Sequence, residues 1–390
     1  MSTIKVQNIQ HTGSSTNAIA LASDGTCTAN ITNNLSNRNL IINGAMQAAQ
    51  RGTSSTTSGY GSLDRFLVGY DGVDESPTQS QVDVASGTTP YTNGFRKALR
   101  VTNGNQSNNA GAGDYIYIRH QVEAQNVANS GWNYVSSSSN ITLSFWVKSS
   151  VSQNFYCYLD AAASSYTYVF ETGTLTADTW TKITKTISGN SNLVFNNDST
   201  AGLKLWINLY WGTNYTGSVT LNTWGSFNGS ARVPAFPANW YETDDATFEI
   251  TGVQLEVSDH ATDFEHLSFA DNLRKCQRYY QKSYNYQVAP ATSSNSGMIT
   301  GSVSDARTNR LDMGTRFELE MRSTPTLTIY RPLNGGTGQV GNFGSGNGTS
   351  ETNGKSVTVR GLGRKGFAGF TLGSSTGGSL GYHYQADAEL

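Results

Sequence analysis

The sequence predicts an all-β protein, and three observations carry that prediction. Apolar and polar residues alternate with a period of two in a series of strand-length runs between Asp114 and Val257. Only 14% of residues are charged, well below the quarter or so of an average globular domain, while Gly reaches 41 residues. The 7 Trp, 20 Tyr and 15 Phe supply the apolar mass that a disordered chain of similar polarity would lack. At 390 residues there is length for two or three separate cores.

Residues 1–38 are polar and rich in Gly and Ser. Ile4, Val6 and Ile9, then Ala18–Leu21, form short strand-like patches separated by turn signals at Gly13–Thr16 and Asp24–Gly25. Such a segment buries no core alone; it orders by docking on a partner or on copies of itself, or it frays as a terminus. The first dense apolar cluster is Leu40, Ile41, Ile42 and Met46, with a turn at Asn43-Gly44, and it opens a β domain.

Within that domain each strand has two faces. Ile116, Ile118 and His120 oppose Tyr115, Tyr117 and Arg119. Ile141, Leu143, Phe145 and Val147 oppose Thr142, Ser144, Trp146 and Lys148. Phe155, Cys157 and Leu159 alternate with Asn154, Tyr156, Tyr158 and Asp160, and Leu203, Leu205, Ile207 and Leu209 with Lys204, Trp206, Asn208 and Tyr210. Thr179–Ile187 adds another alternating strand. Aliphatic faces on antiparallel strands joined by Gly/Asn/Ser loops predict a sandwich of jelly-roll type. Residues 213–240 form a long polar loop carrying Tyr215, Trp224, Phe227, Phe236 and Trp240, a length that marks either function or packing by its own rings.

Two architectures meet in Thr247–Ser283. Phe248 and Ile250 alternate with polar neighbours, then the parity slips at Gly252 and resumes as Val253, Leu255 and Val257, which predicts a bulge. Ser268 caps a short helix with Asp271 three residues on, and Phe269, Leu273, Cys276 and Tyr280 recur at helical spacing. Alternation returns over Met298–Ile329, followed by a Gly/Asn/Ser-rich excursion at 333–356 and further strands to Leu390, a smaller C-terminal β domain. The predicted boundaries are therefore 1–38, 39–266, 267–285 for the linking helix, and 286–390. No repeat of fixed period is present, which argues against a propeller or a long β-helix.

The stretches Ile250–Val257 (ITGVQLEV), Ala261–His266 (ATDFEH) and Leu273–Ser283 (LRKCQRYYQKS) resemble the junction segment of tail-fibre and receptor-binding proteins of tailed bacteriophages. Asn39–Gly52 (NLIINGAMQAAQRG), Tyr60–Phe66 (YGSLDRF), Ile141–Ser150 (ITLSFWVKSS) and Ala386–Leu390 (ADAEL) extend the resemblance, at the level of motifs, over nearly all of the chain from residue 37. The sandwich is similar to the jelly-roll carbohydrate-binding modules appended to glycosidases. The resemblance implies a homotrimer that adheres to a host-surface glycan without enzymatic activity. It also implies residues 1–38 as an extended attachment segment for other phage tail or capsid proteins, and the virion as location. The helix at 268–283 is then a natural meeting place for three copies, with Tyr279 and Tyr280 packing there or equally within one chain. Arg51 and the Asp64-Arg65 pair read as a buried structural ion pair rather than a site. No cofactor is expected beyond a structural calcium, with Glu256 and backbone carbonyls near the first strands as ligands, or Asp245.

A sugar site needs flat rings to stack on pyranose faces and amides to bond the hydroxyls. The candidate glycan-binding residues are Trp146, Tyr156, Tyr158, Trp206, Asn208, Tyr210, Tyr215 and Trp224, joined by Tyr115 and Tyr117 if those strands share a sheet. So many rings on one face demand a ligand or a cover: a loop, the N-terminal segment or a neighbouring subunit. Loop tips at Tyr215, Trp224, Trp240 and Tyr241, and the 335–353 loop, are rival contact points.

The alternative from another class is a structural virion protein, a capsid decoration or tail-fibre adaptor that binds no glycan. A more distant one is a polysaccharide-degrading tailspike, which needs two carboxylates at a fixed separation. Asp114, Asp160, Glu171, Asp244 and Glu249 are available, but nothing pairs them. The five His have no metal-ligand spacing and there is no GxSxG elbow. A net charge of −2 gives no reason to expect nucleic acid, and no apolar run has the length of a membrane span. Cys27, Cys157 and Cys276 suggest neither a disulfide framework nor a zinc site; the last two read as small buried hydrophobes. With no signal-peptide pattern at its start, the chain is expected to be made in the host cytoplasm.

Overall fold

In the computed structural model the described residues are 5–15, 18–25, 27–29, 38–106, 110–303, 309–343, 351, 353–373 and 378–390. The fold is all-β, as the alternation predicts. Near the N-terminus β1 (Asn8–Ile9), β2 (Ile19–Leu21) and β3 (Cys27–Ala29) pair into a small antiparallel sheet. Val6, Ile9 and Leu21 stay exposed.

The sandwich follows. Its strands are β4 (Ser54–Ser55), β5 (Phe66–Asp71), β6 (Thr78–Asp83), β7 (Lys97–Thr102), β8 (Tyr115–Glu123), β9 (Asn140–Ser149), β10 (Asn154–Ala161), β11 (Tyr166–Thr174), β12 (Thr181–Ser188), β13 (Ala201–Trp211), β14 (Trp224–Ser226) and β15 (Thr247–Glu256). One sheet runs β14-β11-β10-β13-β8-β5 and the other β12-β9-β15-β7-β6-β4, all antiparallel pairs. The aliphatic faces meet between them: Ile116, Ile118, Phe155, Leu159 and Ile207 from one sheet are buried with Ile141, Leu143, Phe145, Val147, Phe248 and Ile250 from the other. Each such side chain contributes roughly 1.5–3 kcal/mol of burial free energy.

The predicted bulge is present. The register of β15 slips between Thr251 and Gln254, and Gly252 has φ 63°. The kink lets the Val253 N–H donate to the Gly44 carbonyl at 2.9 Å. A Cβ on Gly44 would lie 2.0 Å from the Val253 oxygen, so the turn of the Asn43-Gly44 motif and the bulge fit each other only through glycine. Asn43 itself, at φ 64°, is buried with its side chain bonded to Ala48, Asp64 and Asn272.

Helices are few: α1 (Thr89–Thr92), α2 (Ala124–Ala128) and α3 (Phe269–Gln277). None of the described helices is long and apolar enough to cross a membrane. Ser268 caps α3 as expected, its hydroxyl accepting from the Asp271 N–H at 3.1 Å. The helix is shorter than its period suggests, because Tyr280 belongs to a strand. Tyr279 and Tyr280 are buried within this one chain under Arg65 and Arg51.

The C-terminal strands are β16 (Tyr280–Lys282), β17 (Ile299–Val303), β18 (Arg310–Leu311), β19 (Thr315–Arg316), β20 (Thr326–Tyr330), β21 (Gln339–Asn342), β22 (Asn353–Arg360), β23 (Gly366–Phe367), β24 (Gly369–Leu372) and β25 (Gly378–Asp387). The ten-residue β25 organises them by pairing with β16, β17, β20 and β21. A second core of Met321, Ile329, Val340, Phe370, Leu380 and Tyr382 lies on it. The β21–β22 pair lies within the Gly-rich excursion at 333–356, while residues 344–350 and 352 of the predicted tip lie outside the described residues. Arg51 and Asp64-Arg65 form the structural ion network expected. Arg51 pairs with Asp64 at 3.6 Å, Asp387 at 2.9 Å and Glu389 at 3.4 Å, and Arg65 pairs with Glu389.

Candidate functional site

Because β8, β13 and β10 are adjacent, their outward residues share one face: Tyr115, Tyr117 and Arg119, then Lys204, Trp206 and Asn208, then Tyr156, Tyr158 and Asp160. Cross-strand register puts Asn208 opposite Tyr117 and Trp206 between Arg119 and Tyr158. Tyr158 stacks on Trp206 at 5.4 Å and 18° between planes, and Tyr117 lies 4.5 Å from the same indole. Tyr117 and Trp211 are parallel within 3° at 5.8 Å, and Tyr115 stacks on Trp211 at 4.9 Å. Gly69 of β5 makes room for this platform, since a Cβ there would come within 2.3 Å of the Tyr117 ring.

The long loop at 212–240 folds back over part of the face. Val233 is buried against the rings, Tyr215, Val219, Leu221 and Phe236 pack beside it, and Arg232 sits 4.7 Å from the centre of the Trp211 rings. Tyr158, Trp206 and Trp211 are covered, whereas Tyr115, Tyr117, Arg119 and Tyr156 remain half-buried at the uncovered margin. The loop is thus the cover that so many rings require, supplied by the same chain.

The cover leaves polar atoms unmatched. Trp206 Nε1, Trp211 Nε1, Arg119 Nε and Asn208 Oδ1 are buried without a hydrogen-bond partner, although the Asn208 amide nitrogen donates to the Tyr156 carbonyl at 2.9 Å. Buried polar groups are normally paired, so four on one face is a departure from that rule. Burial raises the pKa of the Tyr115, Tyr117 and Tyr158 hydroxyls, so all three are neutral donors at physiological pH.

Of the residues predicted to bind glycan, Tyr156, Tyr158, Trp206 and Asn208 come together on the sheet, and Tyr215 joins them from the loop. Three do not. Trp146 projects from β9 in the opposite sheet, paired with Lys182 and Thr251, and packs with Trp180, Phe95 and Phe264. A β13 register shift between Asn208 and Tyr210 turns Tyr210 into the main core, where it stacks on Tyr241 at 4.3 Å. Trp224 lies on the edge strand β14 against Tyr168, its Nε1 donating to the Ser188 carbonyl at 2.9 Å. Trp240 and Tyr241 are not loop tips: both are buried, Trp240 donating to Thr247 O and Tyr241 to the Asp114 carboxylate. Sequence reasoning missed Trp211, which the same register shift brings outward, and Arg232, a lone cation in a polar loop. No sequence signal marks that shift, since no glycine or proline interrupts β13 between Leu203 and Trp211.

The carboxylates considered for hydrolysis are dispersed. Asp160 pairs with Lys204 at 3.1 Å, Glu249 with Arg100 and Lys148, and Glu171 accepts from Asn154. Glu256, considered for calcium, accepts from Thr262 and Gln254 and pairs with Arg38 at 3.4 Å, a cation where a metal would need further oxygens. Among the described residues no group of three or more His, Cys, Asp or Glu could hold a metal. A cleft of about 1420 Å³ lies away from the rings, between the sandwich and α3, lined by Arg38, Gln125, Asn129, Arg274, Arg278 and Glu320.

No family model matches the chain, and no curated protein matches it. Among solved structures it is similar to the enzymatically active domain of tailspike protein 4 of bacteriophage CBA120, at 8% identity and TM-score 0.30, over 57% of this chain and 22% of that one. A putative sugar-binding protein of Bacteroides thetaiotaomicron matches at 13% identity and TM-score 0.28, over 56% and 100%. The N-terminal cellulose-binding domain of Cellulomonas fimi β-1,4-glucanase C matches at 11% identity and TM-score 0.25, over 54% and 98%. The chain thus spans about a fifth of the tailspike domain and essentially all of the two binding domains. At such TM-scores the likeness decides nothing about ligand or activity.

Proposed function

We propose that this protein is a non-enzymatic glycan adhesin of a bacteriophage tail, and that the outer face of the β14-β11-β10-β13-β8-β5 sheet is its sugar-contact surface. One observation carries the proposal: stacked rings and unpartnered polar atoms occupy the same face. Flat rings suit pyranose faces, and the half-buried Tyr115, Tyr117 and Arg119 at the uncovered margin offer donors to hydroxyl oxygens. The motifs shared with tail-fibre proteins support the phage setting, with residues 1–38 as the attachment end. Assembly as a homotrimer would convert weak single-site adhesion into stable attachment. The non-enzymatic reading is supported by the separate structural partners of Asp160, Glu171 and Glu249.

The test is binding of the purified full chain to bacterial cells and to a panel of soluble polysaccharides, beside Tyr117→Ala and Trp206→Ala, with Trp146→Ala as the control on the opposite sheet. Saturable binding lost in the first two and kept in the third is expected. Release of reducing ends would instead reveal a hydrolase. A second reading, a structural virion protein, is favoured by the loop cover over Trp206 and Trp211. It predicts that the folded oligomer binds no cell and no polysaccharide.

A further inference from the structure

The unmatched atoms on the aromatic face are unequal in kind. Three are donors, Arg119 Nε, Trp206 Nε1 and Trp211 Nε1, and one is an acceptor, Asn208 Oδ1. The two indole N–H groups lie beneath the loop, so the unmatched group beside the uncovered margin is the half-buried Arg119, whose guanidinium only donates and calls for an acceptor. The charges lean the same way. Arg119 lies 4.9 Å from the centre of the Trp206 rings, and Arg232 lies 4.7 Å from Trp211, 5.1 Å from Tyr215 and 5.6 Å from Phe227. Both are near enough to Tyr117 to favour its ionised form electrostatically, so their fields meet at the uncovered margin of the platform.

Neither guanidinium is neutralised. Arg232 donates to the neutral Gly229 carbonyl at 3.2 Å and to the Tyr158 hydroxyl, and no ion pair to a carboxylate holds either Arg119 or Arg232 among the described residues. Three carboxylates register on the same face, and none is bonded to either arginine: Asp160 pairs with Lys204 at 3.1 Å, Glu171, opposite Tyr156, accepts from Asn154 at 2.8 Å, and Asp71, opposite Tyr115, accepts from the Gly72 N–H at 3.0 Å. Several half-buried arginines elsewhere are matched with acids: Arg51 with Asp387 and Glu389, Arg100 with Glu249, Arg278 with Glu123, Arg331 with Glu351. Arg119 and Arg232 share the lack of a carboxylate partner with Arg322, which bonds three backbone carbonyls, and with Arg96, 3.9 Å from the Tyr91 ring, but only these two stand together on one aromatic face. A planar guanidinium held on an aromatic face presents its remaining N–H edge ready for bidentate contact with a carboxylate.

We infer that the aromatic face takes an acidic glycan, a uronic-acid-containing polysaccharide whose carboxylates bond Arg119 and Arg232 while the pyranose rings lie on Tyr115 and Tyr117. This rests on the glycan-adhesion reading above and adds the charge of the ligand to it. A chain with net charge −2 draws no long-range pull toward polyanions, so selectivity for carboxylate must come from these two side chains.

The experiment uses the full chain and three acidic probes, polygalacturonate, alginate and hyaluronate, each beside its carboxyl-reduced neutral form, with binding read by calorimetry. At least one acidic probe is expected to bind about tenfold or more tightly than its reduced form. Its affinity is expected to fall steeply as NaCl rises from about 0.05 to 0.5 M. Arg119→Gln and Arg232→Gln should each weaken that binding by about tenfold and flatten its salt dependence, with unchanged melting temperature. Equal affinity for acidic and reduced forms, or salt-independent binding, would overturn the inference and leave the glycan reading standing. Binding of neutral polysaccharide alone would do the same. Absence of binding to any polysaccharide would overturn both. If either glutamine variant melts early, the lysine variants Arg119→Lys and Arg232→Lys take its place: retained charge without the planar fork should keep the salt dependence and lose part of the affinity.

Discussion

The guanidinium of Arg65 lies 3.5 Å from the centre of the Tyr279 ring while the same cation pairs with Glu389. Arg51 repeats the arrangement, 3.7 Å from the Tyr280 ring and bonded to Asp387. Motifs far apart in sequence therefore meet in one buried knot: the opening of the sandwich, the end of the helix, and the end of β25 with the residues just beyond it. The knot is further closed by Arg322, which donates to the carbonyls of Ala388 and Glu389 at 2.8 and 2.9 Å and to that of Ser199 in the sandwich. Its consequence is mechanical, since it fixes the C-terminal β domain on the sandwich.

Removing one member should therefore be costly. Glu389→Gln leaves Arg65 fully buried without its counter-charge, and an expected loss of about 3–5 kcal/mol follows from stranding a buried cation. The double variant Arg65→Met, Glu389→Leu should recover part of that loss, because the desolvation cost disappears with the pair. Urea unfolding followed by tryptophan fluorescence measures both. A Glu389→Gln loss below about 1 kcal/mol would mean the pair is effectively solvated.

His120 gives the stability a pH dependence of known sign. Its ring is buried beside Phe66, with Nε2 donating to the Ile42 carbonyl at 3.1 Å. Burial first, and the charge of Arg65 second, hold its pKa well below the ordinary histidine value. The unfolded chain takes up a proton near pH 6.5 and the folded one does not, so stability present above that pH is lost as pH falls through it. The slope from this group is at most about 1.4 kcal/mol per pH unit. Asp64 acts oppositely: burial pushes it up to about 6, so the folded state protonates first and gains stability as pH falls from there toward the unfolded value. His120→Gln should remove the destabilising contribution, so that unfolding free energy between about pH 7 and 5 falls less than in the parent, or rises. An unchanged profile would exclude His120 as its source.

How much of this was legible depends on whether it was local. The alternation identified the outward rings of β8 and β10 and Trp206 of β13, and the parity slip at Gly252 and the cap at Ser268 were readable because each uses residues with narrow conformational preferences. Sheet membership was not readable. Trp146 alternates as well as Trp206 does, yet β9 pairs with β12 and β15 while β13 pairs with β8 and β10, a choice made by long-range pairing. The register shift that exchanges Tyr210 for Trp211 has no residue of special conformation to announce it. Arg232 gains its place only because the 212–240 loop folds over the sheet.

Gly252 tests the bulge directly. With φ 63° and a Phe95 ring carbon 2.6 Å from where a Cβ would stand, alanine is strained in backbone and side chain alike. Gly252→Ala should cost about 1–3 kcal/mol. Gly225→Ala, where no atom lies within 4 Å of the added carbon, should change stability by less than about 0.5 kcal/mol. Equal losses in the two would mean that β-strand entropy rather than the bulge sets the cost.

Gly69 separates the platform from the chemistry on it. An added methyl at this position would meet the far end of the Tyr117 side chain, Cζ at 2.3 Å and Oη at 2.5 Å, and touch no other group more closely. A ring tip can swing aside, so Gly69→Ala should cost no more than about 1 kcal/mol of stability. It should nevertheless lift Tyr117 off its parallel arrangement with Trp211 and weaken polysaccharide binding about as much as Tyr117→Ala does, because stacking depends on the plane of the ring and not only on its presence. Calorimetric titration of Gly69→Ala beside Tyr117→Ala and the double variant measures this. Equal affinities in all three would place the whole effect of the methyl on that ring. A Gly69→Ala protein that binds like the parent would show that sugars reach the face by a path that does not include Tyr117.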